Sequence, residues 1–76
     1  MDIREKIRDI SEDVLELESG TLGYDDLYSD YEIDSFMAGQ LACMLEDEFD
    51  IQLEDDMIKD IVSVNAAAEL VERLQK

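Results

Sequence analysis

The 76-residue sequence has no histidine, no tryptophan and no proline, and it has one cysteine, Cys43. A single cysteine excludes an internal disulfide. The lack of histidine excludes a Cys/His zinc site and the Ser-His-Asp and Cys-His catalytic sets. The three glycines are scattered, so no glycine-rich phosphate-binding loop is present, and no window has the spacing of an EF-hand. We expect no bound metal, and a small metal-dependent enzyme using the abundant carboxylates is only a third and weaker hypothesis.

Basic residues are scarce. Six Lys and Arg stand against 22 Asp and Glu, which gives a formal net charge of −16 at pH 7. Nucleic-acid binding is therefore disfavoured, because the phosphate backbone needs a basic surface, and anionic membranes would repel the chain. Basic patches on partner proteins are the natural counterpart, since long-range attraction speeds their encounter. The alternative is that the charge only keeps the protein soluble.

Long apolar runs are absent as well. Residues 1–10 mix charged and apolar side chains, unlike a signal peptide, and no stretch approaches the ~20 apolar residues of a membrane span. We therefore expect a cytoplasmic protein without membrane insertion. Hydrophobic residues nevertheless make up 46% of the chain, which predicts a folded protein. A chain of this length should form one domain, 1–76. Its core is too thin for a deep active site, so we expect a protein that enzymes act on and not an enzyme. We also expect a monomer.

Apolar residues recur at helical spacing along most of the chain. The pattern predicts a first helix over residues 3–17, with Asp2 as its N-cap and Ser19-Gly20 as its C-terminal signal. A second helix should span Ser35–Phe49, a short helical turn Asp55–Ile61, and a last helix should follow Ser63 as its cap. The fold class is therefore all-α, a small four-helix bundle with a long loop between helices one and two. The predicted inward-facing residues are Ile3, Ile7, Ile10, Val14, Leu17, Met37, Leu41, Met44, Leu45, Met57, Ile58, Ile61, Val64, Ala67, Ala68, Val71 and Leu74.

Residues 18–34 carry no clean period and are predicted to form a loop. A loop of this length in so small a domain is usually functional or packed against the fold. Five apolar or aromatic residues are expected to hold it to the bundle. They are Leu22, Leu27, Tyr28, Tyr31 and Ile33.

One segment at the end of this loop has the features of a modification site. Ser35 should lie in the first turn of the second helix, where an exposed hydroxyl meets free backbone N–H groups and the positive end of the helix dipole. A phosphodiester on Ser35 would be stabilised there. The simpler interpretation is that Ser35, or Asp34, is only an N-cap.

The surrounding residues favour the first interpretation. Three stretches of the chain, in this order, resemble the acyl carrier protein family. They are Ile33-Asp34-Ser35-Phe36, Leu45-Glu46-Asp47-Glu48-Phe49-Asp50-Ile51 and Val64-Asn65-Ala66-Ala67. That family has an Asp-Ser-Leu-like tripeptide at the start of its second helix, an acidic run ending that helix, a short third helix and a last helix containing Val. The three-residue motif alone is weak, but the resemblance extends over nearly the whole chain.

The resemblance implies a carrier that holds acyl, aminoacyl or polyketide groups as thioesters. It places 4'-phosphopantetheine on Ser35, with Asp34 in support, and a phosphopantetheinyl transferase as the enzyme that moves the arm from coenzyme A. It also implies docking of acyl-transferring and condensing enzymes, through basic patches, on the second helix. The residues expected to contact such partners are Phe36, Gly39, Cys43, Glu46, Asp47, Glu48 and Asp50.

Three departures from the family pattern bear on the pathway. Glu32 stands where Gly is frequent, Met37 and Gln40 replace acids early in the second helix, and Glu54 stands where Pro is common. The altered docking face indicates a dedicated carrier for a polyketide, peptide, aminoacyl or special lipid pathway more than bulk fatty-acid synthesis. The competing hypothesis is an acidic helical interaction or regulatory protein without a prosthetic group.

Overall fold

The computed structural model describes residues 3–75, so the predicted N-cap Asp2 lies outside the described residues. Four α-helices follow one another: α1 (Ile3–Val14), α2 (Ser35–Phe49), α3 (Asp55–Ile58) and α4 (Val64–Leu74). Within the described range there is no β-strand, and the predicted all-α fold with a long loop before α2 is confirmed. The loop contains a 3₁₀ turn, Tyr28–Tyr31, that the sequence did not predict.

The core lies where α1 packs against both α4 and α2, while the short α3 packs against α2. All predicted inward positions are buried or packed on the core, but three buried apolar residues were missed: Ala42 on α2, Leu53 between α2 and α3, and Leu70 on α4. α3 contains no fully buried residue. The buried apolar residues are Ile7, Val14, Leu22, Tyr28, Leu41, Ala42, Leu45, Leu53, Val64, Ala67, Ala68, Leu70 and Val71.

The predicted end of the first helix is wrong. α1 ends at Val14, and Glu16 adopts a left-handed conformation with φ 57°. The Leu17 amide donates to the Glu12 carbonyl at 2.8 Å and the Glu16 amide to that of Asp13 at 3.3 Å, which is the Schellman pattern of a helix C-terminus. The sequence signal was missed because glutamate occupies the position usually held by glycine.

The other helix boundaries follow the predictions more closely. α2 spans the predicted Ser35–Phe49, and Ser63 caps α4 by accepting a hydrogen bond from the Ala66 amide at 3.1 Å. α3 is shorter than predicted, ending at Ile58 instead of Ile61. A further left-handed residue, Asp50 with φ 52°, closes α2.

Candidate functional site

The loop before α2 is held to α1 by a buried hydrogen-bonded pair. The Ser11 hydroxyl donates to the Ile7 carbonyl at 2.7 Å, so its single proton is used, and the Tyr28 hydroxyl donates to Ser11 at 2.8 Å. Tyr28 is 1% exposed, and burial raises the pKa of its phenol to about 12. The contact was not predicted from the sequence, although a serine inside the apolar stripe of α1 is a signal that could have indicated it.

A second buried contact joins α1 to the loop. Glu12 is buried, and its carboxylate accepts a hydrogen bond from the Leu22 amide at 2.9 Å. Of the five residues predicted to hold the loop, Leu22 and Tyr28 are fully buried, while Tyr31 and Ile33 are partly buried. Leu27 is 47% exposed, so its predicted packing role is wrong.

The middle of the loop also contacts both terminal helices. The ring of Tyr24 has the guanidinium groups of Arg4 and Arg8 at 5.4 and 5.2 Å from its centroid, a distance that allows cation–π attraction. The Tyr24 carbonyl accepts from the amide of Asn65 at 3.1 Å, and the Asn65 side chain donates to Asp25. These contacts were missed because they join residues far apart in sequence.

The last part of the loop leads directly to the candidate serine. The Tyr28 amide donates to the carbonyl of Val62 at 2.9 Å, which ties the 3₁₀ turn to the segment before α4. Tyr31 donates to the Asp26 carboxylate at 3.0 Å, and this hydrogen bond raises the pKa of the Tyr31 phenol. Glu32 then reverses the chain in a left-handed conformation with φ 59°. The start of α2 is therefore positioned by contacts to both α1 and the α4 side.

Asp34, not Ser35, is the N-cap of α2. Its carboxylate accepts a hydrogen bond from the Met37 amide at 2.8 Å, and its carbonyl accepts from the Ala38 amide at 2.9 Å. Ser35 is thus the first helical residue, and its side chain is exposed. The Ser35 hydroxyl has no hydrogen-bond partner among residues 3–75. The interpretation of Ser35 as a structural cap is wrong, because Asp34 performs that role.

This geometry fits a covalently attached phosphodiester. The amides of Ser35 and Phe36 belong to the first turn, where backbone N–H groups lack a partner within the helix. A phosphate on the Ser35 oxygen would meet these groups and the positive end of the α2 dipole, worth about 0.3–1 kcal/mol at an exposed position. The Ser35 side chain is exposed, so a modifying enzyme can reach its hydroxyl.

The predicted partner-binding residues lie along the outward side of α2, in unequal settings. Phe36 is 78% exposed, and Cys43, Asp47, Glu48 and Asp50 are exposed too. Gly39 is half-buried and presents bare backbone, because a Cβ built there would meet nothing within 4 Å.

Two of the α2 acids already have partners within the protein. Glu46 is half-buried, and its carboxylate accepts the Leu53 amide at 2.7 Å, which ties the α2–α3 linker to α2. Glu48 pairs with the Lys6 ammonium of α1 at 3.2 Å. The structure therefore distinguishes acids that the sequence presents as equivalent.

Across residues 3–75, no group of at least three Asp, Glu, Cys or His side chains is arranged so that it could hold a metal ion. Over the same range, no helix combines the length and apolarity needed to cross a membrane.

Comparison with known proteins gives the family. The model of a family described as "Phosphopantetheine attachment site" matches residues 5–71. The chain is similar to a free-standing peptidyl carrier protein from an uncharacterized Acinetobacter baumannii secondary metabolic pathway, with 26% identity over 96% of this chain and 91% of that one and a TM-score of 0.84. It is also similar to the A1-type ACP domain from module 5 of MLSA1, with 25% identity, 93% and 72% coverage and a TM-score of 0.81.

A third structure supports the fold alone. The holo acyl carrier protein from Geobacter metallireducens is 21% identical, with 99% and 87% coverage and a TM-score of 0.80. The family match extends over most of the chain and includes the exposed Ser35 at the start of α2. The prosthetic group of that family is 4'-phosphopantetheine, attached covalently. The chain therefore belongs to the acyl carrier protein family of phosphopantetheine-bearing carrier proteins.

Proposed function

We propose that Ser35 is the residue that carries the phosphopantetheine arm, and that this chain holds acyl, aminoacyl or polyketide intermediates on it. The single observation that supports Ser35 most strongly is the division of roles at the start of α2. Asp34 caps the helix through its carboxylate, which leaves the exposed Ser35 hydroxyl without a structural role.

Loading of the arm would be a phosphoryl transfer from coenzyme A. The Ser35 oxygen attacks the phosphorus bearing the pantetheine, a new P–O ester bond forms, and the pyrophosphate bond to the nucleotide breaks. The nucleotide leaves as adenosine 3',5'-bisphosphate, and the hydroxyl proton passes to a base of the phosphopantetheinyl transferase. When bound, the arm supplies a terminal thiol for thioester formation. The chain itself contributes the positioned hydroxyl and the helix dipole.

The chain would then serve partner enzymes as a carried substrate. A single tether gives a thioester a high effective concentration at each enzyme that docks nearby. The exposed Phe36 and the acids of α2 support docking of partners with basic and apolar patches, by charge complementarity. We infer that these partners belong to fatty-acid, polyketide, peptide or special lipid biosynthesis, and the similarity to a peptidyl carrier supports the dedicated pathways.

The exposed, unpaired Cys43 favours a reducing compartment such as the cytoplasm, and we expect a monomer.

Intact-mass measurement tests the attachment residue. The purified chain is incubated with a promiscuous phosphopantetheinyl transferase, coenzyme A and Mg²⁺. The wild-type chain should gain the mass of one phosphopantetheinyl group, and Ser35→Ala should gain none. Ser29→Ala is the matched control, since Ser29 is also an exposed serine and lies in the loop that leads to α2. Addition to Ser35→Ala, or its loss in Ser29→Ala alone, would reject the assignment. No addition to any form would favour an interaction protein without a prosthetic group.

A further inference from the structure

The Asp26 carboxylate joins two parts of the loop before α2. One of its oxygens, Oδ2, accepts hydrogen bonds from the Gly23 amide at 2.8 Å and from the Tyr31 hydroxyl at 3.0 Å. The Asp26 amide in turn donates to the Gly23 carbonyl at 3.1 Å. The carboxylate lies close against Gly23, because a Cβ built there would be only 3.1 Å from Oδ2. The Asp26 side chain is therefore fixed between the turn at residues 23–26 and the end of the 3₁₀ turn.

Tyr31 connects this contact to the start of α2. It is the last residue of the 3₁₀ turn and precedes Ser35 by four positions. Its ring is partly buried against the core, while its hydroxyl is bonded to Asp26. The next residue, Glu32, has φ 59°, and a glutamate keeps this conformation only where its surroundings hold it there. The hydrogen bond between Asp26 and Tyr31 therefore helps to hold the reversal of the chain that leads into the Asp34 cap.

An enzyme that modifies Ser35 has to approach the chain on both sides of this residue. On the N-terminal side it meets residues 32–34, in which Glu32 and Asp34 are exposed. If this segment were free to move, binding would have to order it, and that cost would lower the affinity. We propose that Asp26 is a positioning residue for the loading of Ser35, which acts through Tyr31 by holding residues 32–34 in the conformation that the transferase binds. The inference rests on the proposed attachment at Ser35 and extends it to two loop residues outside α2.

Tyr31→Phe removes the hydrogen bond to Asp26 and leaves both the net charge and the aromatic ring in place. Loading by a phosphopantetheinyl transferase with coenzyme A, followed by intact mass over a series of chain concentrations, gives kcat and KM. KM should rise about 2- to 10-fold, which corresponds to the net value of one hydrogen bond. The kcat should stay unchanged, because the Ser35 hydroxyl remains at the start of α2 and only binding is weakened. An unchanged KM, or a fall in kcat alone, would overturn the proposal.

Two further comparisons separate positioning from charge and from stability. Asp26→Ala and Asp26→Asn remove the same charge, but asparagine can still accept the Gly23 amide with its oxygen and donate to Tyr31 with its amide group. KM should therefore be lower for Asp26→Asn than for Asp26→Ala, and equal values would contradict the proposal. Val71→Ala destabilises the fold through the core, where Val71 is buried, and leaves the hydrogen bonds of the loop intact. It should keep the wild-type KM, and a rise as large as that of Tyr31→Phe would mean that overall stability is being measured.

Hydrogen exchange of single amides gives a readout that does not depend on loading. The Glu32 amide donates to the Ser29 carbonyl at 3.3 Å, and its exchange in Tyr31→Phe should be faster relative to that of core amides such as Leu45. Equal acceleration of both amides would contradict a local role. A wild-type chain that is loaded on Ser35 while Tyr31→Phe shows the wild-type KM would reject the positioning role and leave the attachment residue standing. Failure of the wild-type chain to be loaded would reject the attachment itself.

Discussion

Replacement of Ser11 by alanine should destabilise the protein more than removal of the Tyr28 hydroxyl, from which Ser11 accepts a hydrogen bond. In Ser11→Ala the Tyr28 hydroxyl stays buried, at 1% residue exposure, without its acceptor. A buried hydroxyl left unsatisfied costs about 1–3 kcal/mol. Alanine is the better helix former by a few tenths of a kcal/mol, which offsets part of this loss. The expected net loss in the free energy of unfolding is about 1–2 kcal/mol.

Tyr28→Phe removes the other half of the same hydrogen bond with a different consequence. Ser11 keeps its proton bonded to the Ile7 carbonyl at 2.7 Å, so no buried donor is orphaned. The loss should be at most about 1 kcal/mol, the net value of one hydrogen bond. In the double variant the Ser11→Ala penalty should largely disappear, because no hydroxyl is left unsatisfied.

Urea unfolding followed by far-ultraviolet circular dichroism measures these differences, at a fixed salt concentration because of the −16 charge. A difference of 1 kcal/mol corresponds to about 4–8 °C in Tm for a domain of this size. Ser19→Ala, at an exposed loop serine, is the control and should leave stability nearly unchanged. The reasoning would be refuted if Ser11→Ala were as stable as Tyr28→Phe, or if the two losses simply added in the double variant.

Three further predictions concern charge and backbone. The raised pKa of Tyr28, about 12 against 10.0, means that the folded state keeps a proton that the unfolded state loses above pH 10. The free energy of unfolding should therefore fall by up to about 2–3 kcal/mol as the pH rises from 10 to 12. Urea unfolding at alkaline pH should show a smaller fall for Tyr28→Phe. Equal falls in the two proteins would contradict ionisation of Tyr28 as the cause. Glu32→Gly should stabilise the fold by about 0.5–1 kcal/mol, because it relieves a left-handed glutamate with φ 59°. Glu32→Gln makes the same charge change without that relief, and equal stability of the two variants in urea unfolding would reject this explanation. Finally, raising NaCl from about 0.01 to 0.1 M shortens the screening length from about 30 to 10 Å and should raise Tm; an unchanged Tm would show that self-repulsion is unimportant.

The sequence predicted the elements whose signals are local and left the long-range contacts unpredicted. α2 could be placed at Ser35–Phe49 because a capping residue, an amphipathic pattern and an acidic run agree. The end of α1 was missed because Glu16 adopts the left-handed conformation that glycine usually provides. The anchoring of the loop depends on pairs such as Tyr24 with Asn65, which only the packed fold brings together.

The candidate site shows the same division. Ser35 and Asp34 were identified from their position at the helix start and from the family resemblance, but sequence alone did not decide which of them caps α2. The answer depends on the side-chain geometry, in which the Asp34 carboxylate accepts the Met37 amide at 2.8 Å. The inequality of the α2 acids could not be read from the sequence either, since it arises from contacts of Glu46 with the linker and of Glu48 with α1.

Fragment mapping of the loaded wild-type chain tests the attachment residue most directly. Cleavage after glutamate at Glu32 and Glu46 releases the fragment 33–46, in which Ser35 is the sole hydroxyl-bearing side chain. After treatment with transferase and coenzyme A, tandem mass spectrometry should find the phosphopantetheinyl group on this fragment as a phosphodiester. The group on the fragment 19–32, which contains Ser29, or on any other fragment would contradict the assignment of Ser35.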